Sequence, residues 1–259
     1  VNDGRSDAIG RVSRSDDYER LLEHARRDEE IVGVILGGSR GKGFETARSD
    51  WDVYLLTIDG ADPTDVRSRY DNPPAIDLAS VQTLTGFAAY ALAGHPDEWN
   101  RYTFAHLTPP FDRTGGELAD LCAAKELIPP DIARERAALA LDGYINSAFR
   151  CRKNARDGRG AASHLDASES IPYLLDFAFL SEGRIRPYNK YLDWELTHHP
   201  LQESWPAASQ TALLDVVTRN DRSTQAGLFR EVESAARRLG YGDVIDAWHA
   251  SDLVELRQD

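Results

Sequence analysis

At 259 residues, 41% of them hydrophobic, the chain is long enough for one large or two modest domains with a real core. Its 43 Asp and Glu outweigh its 30 Lys and Arg, giving a formal net charge of −13; this disfavours a nucleic-acid backbone as partner, because proteins that grip phosphodiesters present Lys and Arg faces. No apolar run approaches the ~20 residues of a membrane span. No basic-then-apolar leader is read, and Cys122 and Cys151 are too few and too far apart for a disulfide scaffold or a zinc site, so the expected compartment is the reducing cytoplasm.

Residues 1–14 are polar and mixed in charge, and read as a loose tail. Asp16 and Glu19 have capping-box spacing ahead of Leu21, Leu22 and Ala25, which predicts a first helix. Ile31–Leu36 is a β-branched apolar run and reads as a strand. Gly37, Gly38 and Ser39 follow, then a polar connector, then Ser49-Asp50-Trp51-Asp52 opening a second apolar run, Val53–Leu56. The pattern predicts strand, glycine turn, short helix, strand.

On a strand Asp50 and Asp52 point the same way, with Cα atoms about 6.5–7 Å apart. Two bare carboxylates repel, and a hard divalent cation such as Mg²⁺ relieves that repulsion. Two such ions about 3.5–4 Å apart can clamp the attacking and leaving oxygens of a phosphoryl-type displacement. Gly37 and Gly38 let backbone approach a ligand without a Cβ. A helix starting near Ser39 would aim N–H groups at phosphates, and Arg40 would add a charged fork. The plain alternative is a surface turn between two ordinary strands; the order and spacing of the two motifs favour the metal and phosphate site.

Downstream, Gly60 and Pro63 mark a connector and Thr64–Tyr70 a short helix, ended by Asn72-Pro73-Pro74. Ala75–Ala79 reads as a third strand, with Asp77 alone among apolar neighbours; it is the candidate third metal carboxylate, with Asp71 and Asp112 as rivals. Leu84–Leu92 predicts a helix. Arg101–Leu107 alternates as a fourth strand with His106 on its face, stopped by Pro109-Pro110, and Asp112–Gly115 reads as a turn. From about Gly116 the pattern is helical, which places a domain boundary within 110–130 and divides the chain into domains 1–115 and 116–259. Expected helices are Glu117–Leu127, a long one from Pro130 to about Ala155, Tyr173–Leu180 with Pro172 at its start or at a kink and Gly183 as its C-cap, Pro206–Arg219, Ser223–Leu239 and Asp243–Leu256. Arg150 and Lys153 share a face at the end of the long helix, either as a solvated basic end or as phosphate contacts. Arg184–Leu196 mixes Arg184, Arg186 and Lys190 with Tyr188, Tyr191 and Trp194, which suits phosphate contact and base stacking as well as it suits an amphipathic packing helix.

The stretch GGSRGKGFETARSDWDVYLL resembles the signature of the polymerase-beta-like nucleotidyltransferase superfamily, and more weakly its small-molecule, aminoglycoside-type members. The strong resemblance covers about thirty residues. It implies an α+β chain: a mixed sheet with flanking helices, then a C-terminal helical bundle, with the active site between the two. It also implies two Mg²⁺ ions, ATP or another nucleoside triphosphate as donor, and transfer of a nucleoside monophosphate, AMP above all, to an acceptor hydroxyl. On that resemblance Asp50, Asp52 and Asp77 hold the metals. Gly38, Ser39, Arg40 and Ser49, with Arg150, Lys153 and Lys190, contact the triphosphate. Asp77 or Glu169 serves as general base. The acidic surface suits a cationic acceptor such as an aminoglycoside, which would make the chain an antibiotic-resistance enzyme. The rival readings are transfer to a protein side chain, as in antitoxin-type enzymes, or to another metabolite, and a non-catalytic nucleotide-binding module; RNA nucleotidyl transfer would need a basic groove.

Overall fold

The structure is a computed structural model describing residues 4–70, 73–202 and 210–259, with side chains described from Ser15 onward and not for Gln210. The chain divides into two compact units, 1–127 and 128–259.

The first unit is built on a mixed four-stranded sheet of order β3-β2-β1-β4. Helix α1 spans Gly4–Arg27 and leads into β1, Ile31–Leu36. The expected loose tail is therefore helical from Gly4, and Asp16 and Glu19 lie inside the helix and do not start it. Its C-terminal end is held by Arg113, which donates to the carbonyls of Arg26 (2.7 Å) and Asp28 (3.1 Å). These carbonyls have no partner further along the helix, so a guanidinium satisfies them well. Helix α2 is one turn, Gly38–Gly41, and β2 is Trp51–Thr57. Helix α3, Pro63–Ser68, begins where Asp62 accepts from the Thr64 N–H (2.8 Å). Strand β3, Ile76–Thr83, runs parallel to β2, and α4, Leu84–Ala89, is capped by Thr83 (Gly86 N–H, 3.0 Å).

Strand alternation sends Val34, Val53, Leu55, Ile76 and Leu78 to one face, against Tyr18, Leu21, Leu22 and Ala25 of α1. Ile35, Tyr54 and Leu56 face the other way, onto Phe87 and Phe104.

The expected fourth strand, Arg101–Leu107, does not form. Glu98–Phe104 is a 3-10 helix, and His106 has φ +58°, with its ring Nδ1 3.7 Å from Glu126 and not on a strand face. Asn100 through Phe104 are all buried, so no face is left for solvent and alternation loses its meaning. Arg101 is needed elsewhere: it donates to the carbonyls of Ala124, Lys125 and Leu127, at and just past the end of α5, Glu117–Ala124. The free edge of β1 is taken instead by a short β4, Phe111–Asp112, whose last residue begins the stretch read as a turn. Helix α5 stops three residues before Leu127 and packs Leu118 and Cys122 into the first unit.

The second unit is helical. Helices α6 (Pro130–Arg156) and α7 (Gly160–Leu180) form an antiparallel hairpin, followed by α8 (Leu192–His198), α9 (Gln210–Arg219), α10 (Arg222–Arg238), α11 (Gly242–Asp246) and α12 (Ala250–Arg257). Pro172 lies within α7. Leu141, Tyr144, Ile145, Leu174, Phe177 and Phe229 are at the centre of its core. The helix expected over Asp243–Leu256 is two helices. His249 caps the second, and the Trp248 indole N–H reaches Asp142 on α6 (2.9 Å), which fixes the chain at the break. The start expected at Pro206 lies outside the described residues, as does Asp71. Among the described residues no helix is long and apolar enough to cross a membrane.

Candidate active site

Strand pairing assembles the candidate site at one end of the sheet. Strand β1 runs antiparallel to β2, with Leu36 opposite Val53, so the turn after Leu36 arrives beside Asp52. The Gly37 N–H donates to the Asp52 carbonyl at 2.8 Å. On the other side β3 starts level with β2, and Asp77 is the register partner of Asp52. Ile76 and Leu78 belong to the α1 face, so Asp77 projects to the opposite face, the one that Asp52 shares with Tyr54 and Leu56. Adjacent strands lie about 4.8 Å apart, so the two carboxylates sit side by side, Asp52 half-buried and Asp77 exposed.

Gly38 has φ +61°, and a Cβ built on it would lie 1.7 Å from an Asp52 carboxylate oxygen. The carboxylate therefore rests directly on the turn's backbone, in space that only glycine leaves open. Gly41 closes the turn in the same way, since a Cβ there would lie 2.0 Å from the Leu36 carbonyl oxygen.

Asp50 precedes β2 and its side chain is exposed. Ser39 Oγ donates to Ser49 Oγ (2.9 Å), which also accepts from the Thr46 N–H (2.9 Å). Arg40 Nε donates to the Asp50 carbonyl (3.0 Å) and its Nη2 to the Ser49 carbonyl (2.9 Å). The Arg40 and Ser49 side chains, read from sequence as triphosphate contacts, thus bond within the loop.

Asp112, the rival third acid, pairs with Gly33, which itself pairs with Leu56 at the other end of β2. Its carboxylate accepts from the Thr114 N–H (2.7 Å) and hydroxyl (2.6 Å). Topology separates it from Asp52.

The acids suit Mg²⁺ in donor chemistry, being hard carboxylate oxygens, and the Asp52 carboxylate is seated against the Gly38 backbone in the space a Cβ would fill. They do not form a closed cage: among the described residues no three His, Cys, Asp or Glu side chains are gathered as a metal site.

In the second unit, Arg150 lies 3.1 Å from Asp166 and pairs with Glu169 across the α6–α7 hairpin. Glu169 is therefore the partner of an arginine within this unit. Lys153 and Lys190 are exposed, with ammonium groups 5.3 Å from the Phe149 ring and 4.7 Å from the Tyr191 ring. Burial raises the Cys122 thiol to about 12 and also raises Cys151, which leaves neither as a nucleophile.

Sequence reasoning missed Tyr18 and Trp51, whose rings stack at 4.1 Å on the α1 face of the sheet, opposite to Asp52 and Asp77, and Thr103, whose methyl would meet a Cβ on Gly37 at 3.0 Å. An aromatic between the two aspartates was the available signal for the stack; Thr103 had none.

No protein-family model matches the chain, and no curated protein does. Among solved structures, a nucleotidyltransferase-like protein from Exiguobacterium sibiricum 255-15 is similar over 95% of this chain and 87% of that chain, at 15% identity and a TM-score of 0.44. A likeness that faint leaves the chemistry to be read from this chain's own residues.

Proposed function

We propose that the chain is a nucleotidyltransferase that moves a nucleoside monophosphate, AMP foremost, from a nucleoside triphosphate to a hydroxyl of a small cationic acceptor of the aminoglycoside kind. The observation that carries this reading is the row formed by the Gly37-Gly38-Ser39 turn, Asp52 and Asp77 across three adjacent strands. Asp50, Asp52 and Asp77 would hold Mg²⁺, which when bound supplies charge neutralisation at the phosphates.

The chain's own part is to position. The Cβ-free backbone at Gly38 seats the Asp52 carboxylate against the turn, and the Gly38 and Ser39 N–H groups would face the phosphates. Asp77, exposed on its strand, would take the proton of the acceptor hydroxyl as that oxygen attacks the α-phosphorus and pyrophosphate leaves. The net charge of −13 favours a cationic acceptor over an anionic one.

The test is pyrophosphate release with Mg²⁺ and each common nucleoside triphosphate against a panel of aminoglycosides. Acceptor-dependent release that disappears in Asp52→Asn supports the reading. Release that survives in that variant overturns the metal assignment.

A further inference from the structure

Arg40 and the two aromatics beside it are a part of the loop that neither the phosphate turn nor the acids account for. The Arg40 guanidinium carbon lies 4.3 Å from the Trp51 ring centroid. The Tyr18 ring stacks on Trp51 at 4.1 Å with 13° between planes. Two groups that close to one centroid cannot share a face, so Trp51 is sandwiched between Arg40 from α2 and Tyr18 from α1. The Trp51 indole N–H and the Tyr18 hydroxyl are buried and make no hydrogen bond among the described residues, so the two rings are joined by stacking alone.

We propose, on the basis of the nucleotidyltransferase reading, that Arg40 is a positioning residue that holds Asp50 beside Asp52, with Trp51 and Tyr18 as its backing, and that it is not a phosphate ligand. Its Nε and Nη2 are committed to the carbonyls of Ser49 and Asp50, and its planar face to Trp51. A planar guanidinium lies flat on the indole while N–H groups on its edge reach two successive carbonyls; a lysine ammonium, a point charge on a flexible stem, lacks that rigid fork. The loop it closes is also held by the Thr46 N–H to Ser49 Oγ, the Ser49 N–H to the Thr46 carbonyl (3.1 Å), Ser39 Oγ to Ser49 Oγ (2.9 Å) and the Phe44 N–H to the Ser39 carbonyl (2.8 Å), none of which reaches Asp50. On its other side Trp51 N–H donates to the Ala75 carbonyl at the start of β3 (3.0 Å). Asp50 thus sits between a clamp on its own carbonyl and the first hydrogen bond to β3. Without the clamp, Asp50 is held only through its neighbours Ser49 and Trp51 among the described residues, and its own carbonyl loses its partner.

The experiment compares Arg40→Lys, Trp51→Phe and Trp51→Ala with the unaltered chain. It reads amide hydrogen exchange over residues 44–50, Mn²⁺ affinity by electron paramagnetic resonance, and kcat and KM for ATP. Exchange over 44–50 is expected to quicken about tenfold in Arg40→Lys and Trp51→Ala and to stay near the original in Trp51→Phe, with β1 peptides unchanged as the control for folding. Mn²⁺ affinity and kcat should fall about tenfold in Arg40→Lys while KM for ATP stays within about twofold. Unchanged exchange in Arg40→Lys overturns the proposal, and so does a KM for ATP that rises about tenfold at constant kcat, the signature of a phosphate ligand. Protection lost as fully in Trp51→Phe as in Trp51→Ala overturns the stack. If the unaltered chain releases no pyrophosphate with any acceptor, the proposed activity fails, and the exchange data still decide the role of Arg40.

Discussion

Asp77 stands opposite Asp52 in the parallel pairing of β2 with β3, both on the sheet face away from α1. Two carboxylates one strand apart repel, and removing either charge relieves the sheet of that repulsion. Asp77→Asn is therefore expected to leave thermal stability without divalent ions unchanged or slightly raised. The unaltered chain should gain melting temperature on adding Mg²⁺ or Mn²⁺, because the ion binds only the folded state, and the variant should lose most of that gain. Differential scanning fluorimetry with and without metal checks both. An equal metal-dependent gain in the variant would remove Asp77 from the site.

Gly38 and Gly43 both have positive φ, +61° and +66°, but a Cβ on Gly43 meets nothing within 4 Å whereas one on Gly38 collides with Asp52. Gly43→Ala should cost only the backbone strain, about 1 kcal/mol. Gly38→Ala should cost that and also displace the Asp52 carboxylate, with a further loss of about 1–2 kcal/mol and loss of turnover. Paired urea titrations measure the difference. Equal costs at the two positions would mean that the Asp52 contact is easily relieved.

Lys125 is fully buried, and its ammonium donates to the carbonyls of Phe87 (2.8 Å) and Tyr90 (2.7 Å) at the end of α4. Burial, with the charge of Arg101 nearby, lowers its pKa to about 8 from an ordinary 10.5. Between those values the unfolded chain binds the proton that the folded chain releases. The free energy of unfolding should therefore rise with pH across the window from about 8 to 10.5, by on the order of 3 kcal/mol, with no contribution from this group to the slope below or above it. Lys125→Met is expected to be less stable at neutral pH, through loss of the two carbonyl contacts, and to lack the rise. Chemical denaturation of both proteins at intervals from pH 7 to 10.5 would show it.

The Tyr144 hydroxyl is buried at the centre of the second unit and finds no hydrogen-bond partner among the described residues. Burial pushes its pKa upward. An unsatisfied buried hydroxyl costs about 1–3 kcal/mol, and phenylalanine fills nearly the same volume. Tyr144→Phe should therefore raise the free energy of unfolding by about 1 kcal/mol. A measured loss of stability would mean that the hydroxyl has a partner in solution.

The strand, glycine turn and second strand over 31–57 were legible because each is written in near neighbours: a β-branched run, a Gly-Gly-Ser turn, and a second apolar run over Val53–Leu56. Alternation misled over Arg101–Leu107. The segment is buried on all sides, and Arg101 is needed at the end of α5, a requirement set by residues more than twenty positions away. The break at Trp248 was hidden for the same reason, since its partner Asp142 lies on α6.

By itself, the sequence determined the elements whose pattern repeats within a few residues, the acidic surface, and which side chains near Asp50 and Asp52 have the chemistry for a metal and a phosphate. Only the tertiary structure decided which of those side chains are spent on the fold. Arg40 is taken by two backbone carbonyls and a tryptophan face, Arg150 and Glu169 by each other, and Asp112 is carried to the far end of the sheet, whereas Asp77 is brought level with Asp52. The physical reason is that periodicity reports what a residue's neighbours in the chain require. A hydrogen bond or ion pair goes instead to whichever group the folded backbone brings within about 3 Å, and strand order and helix crossings set that distance.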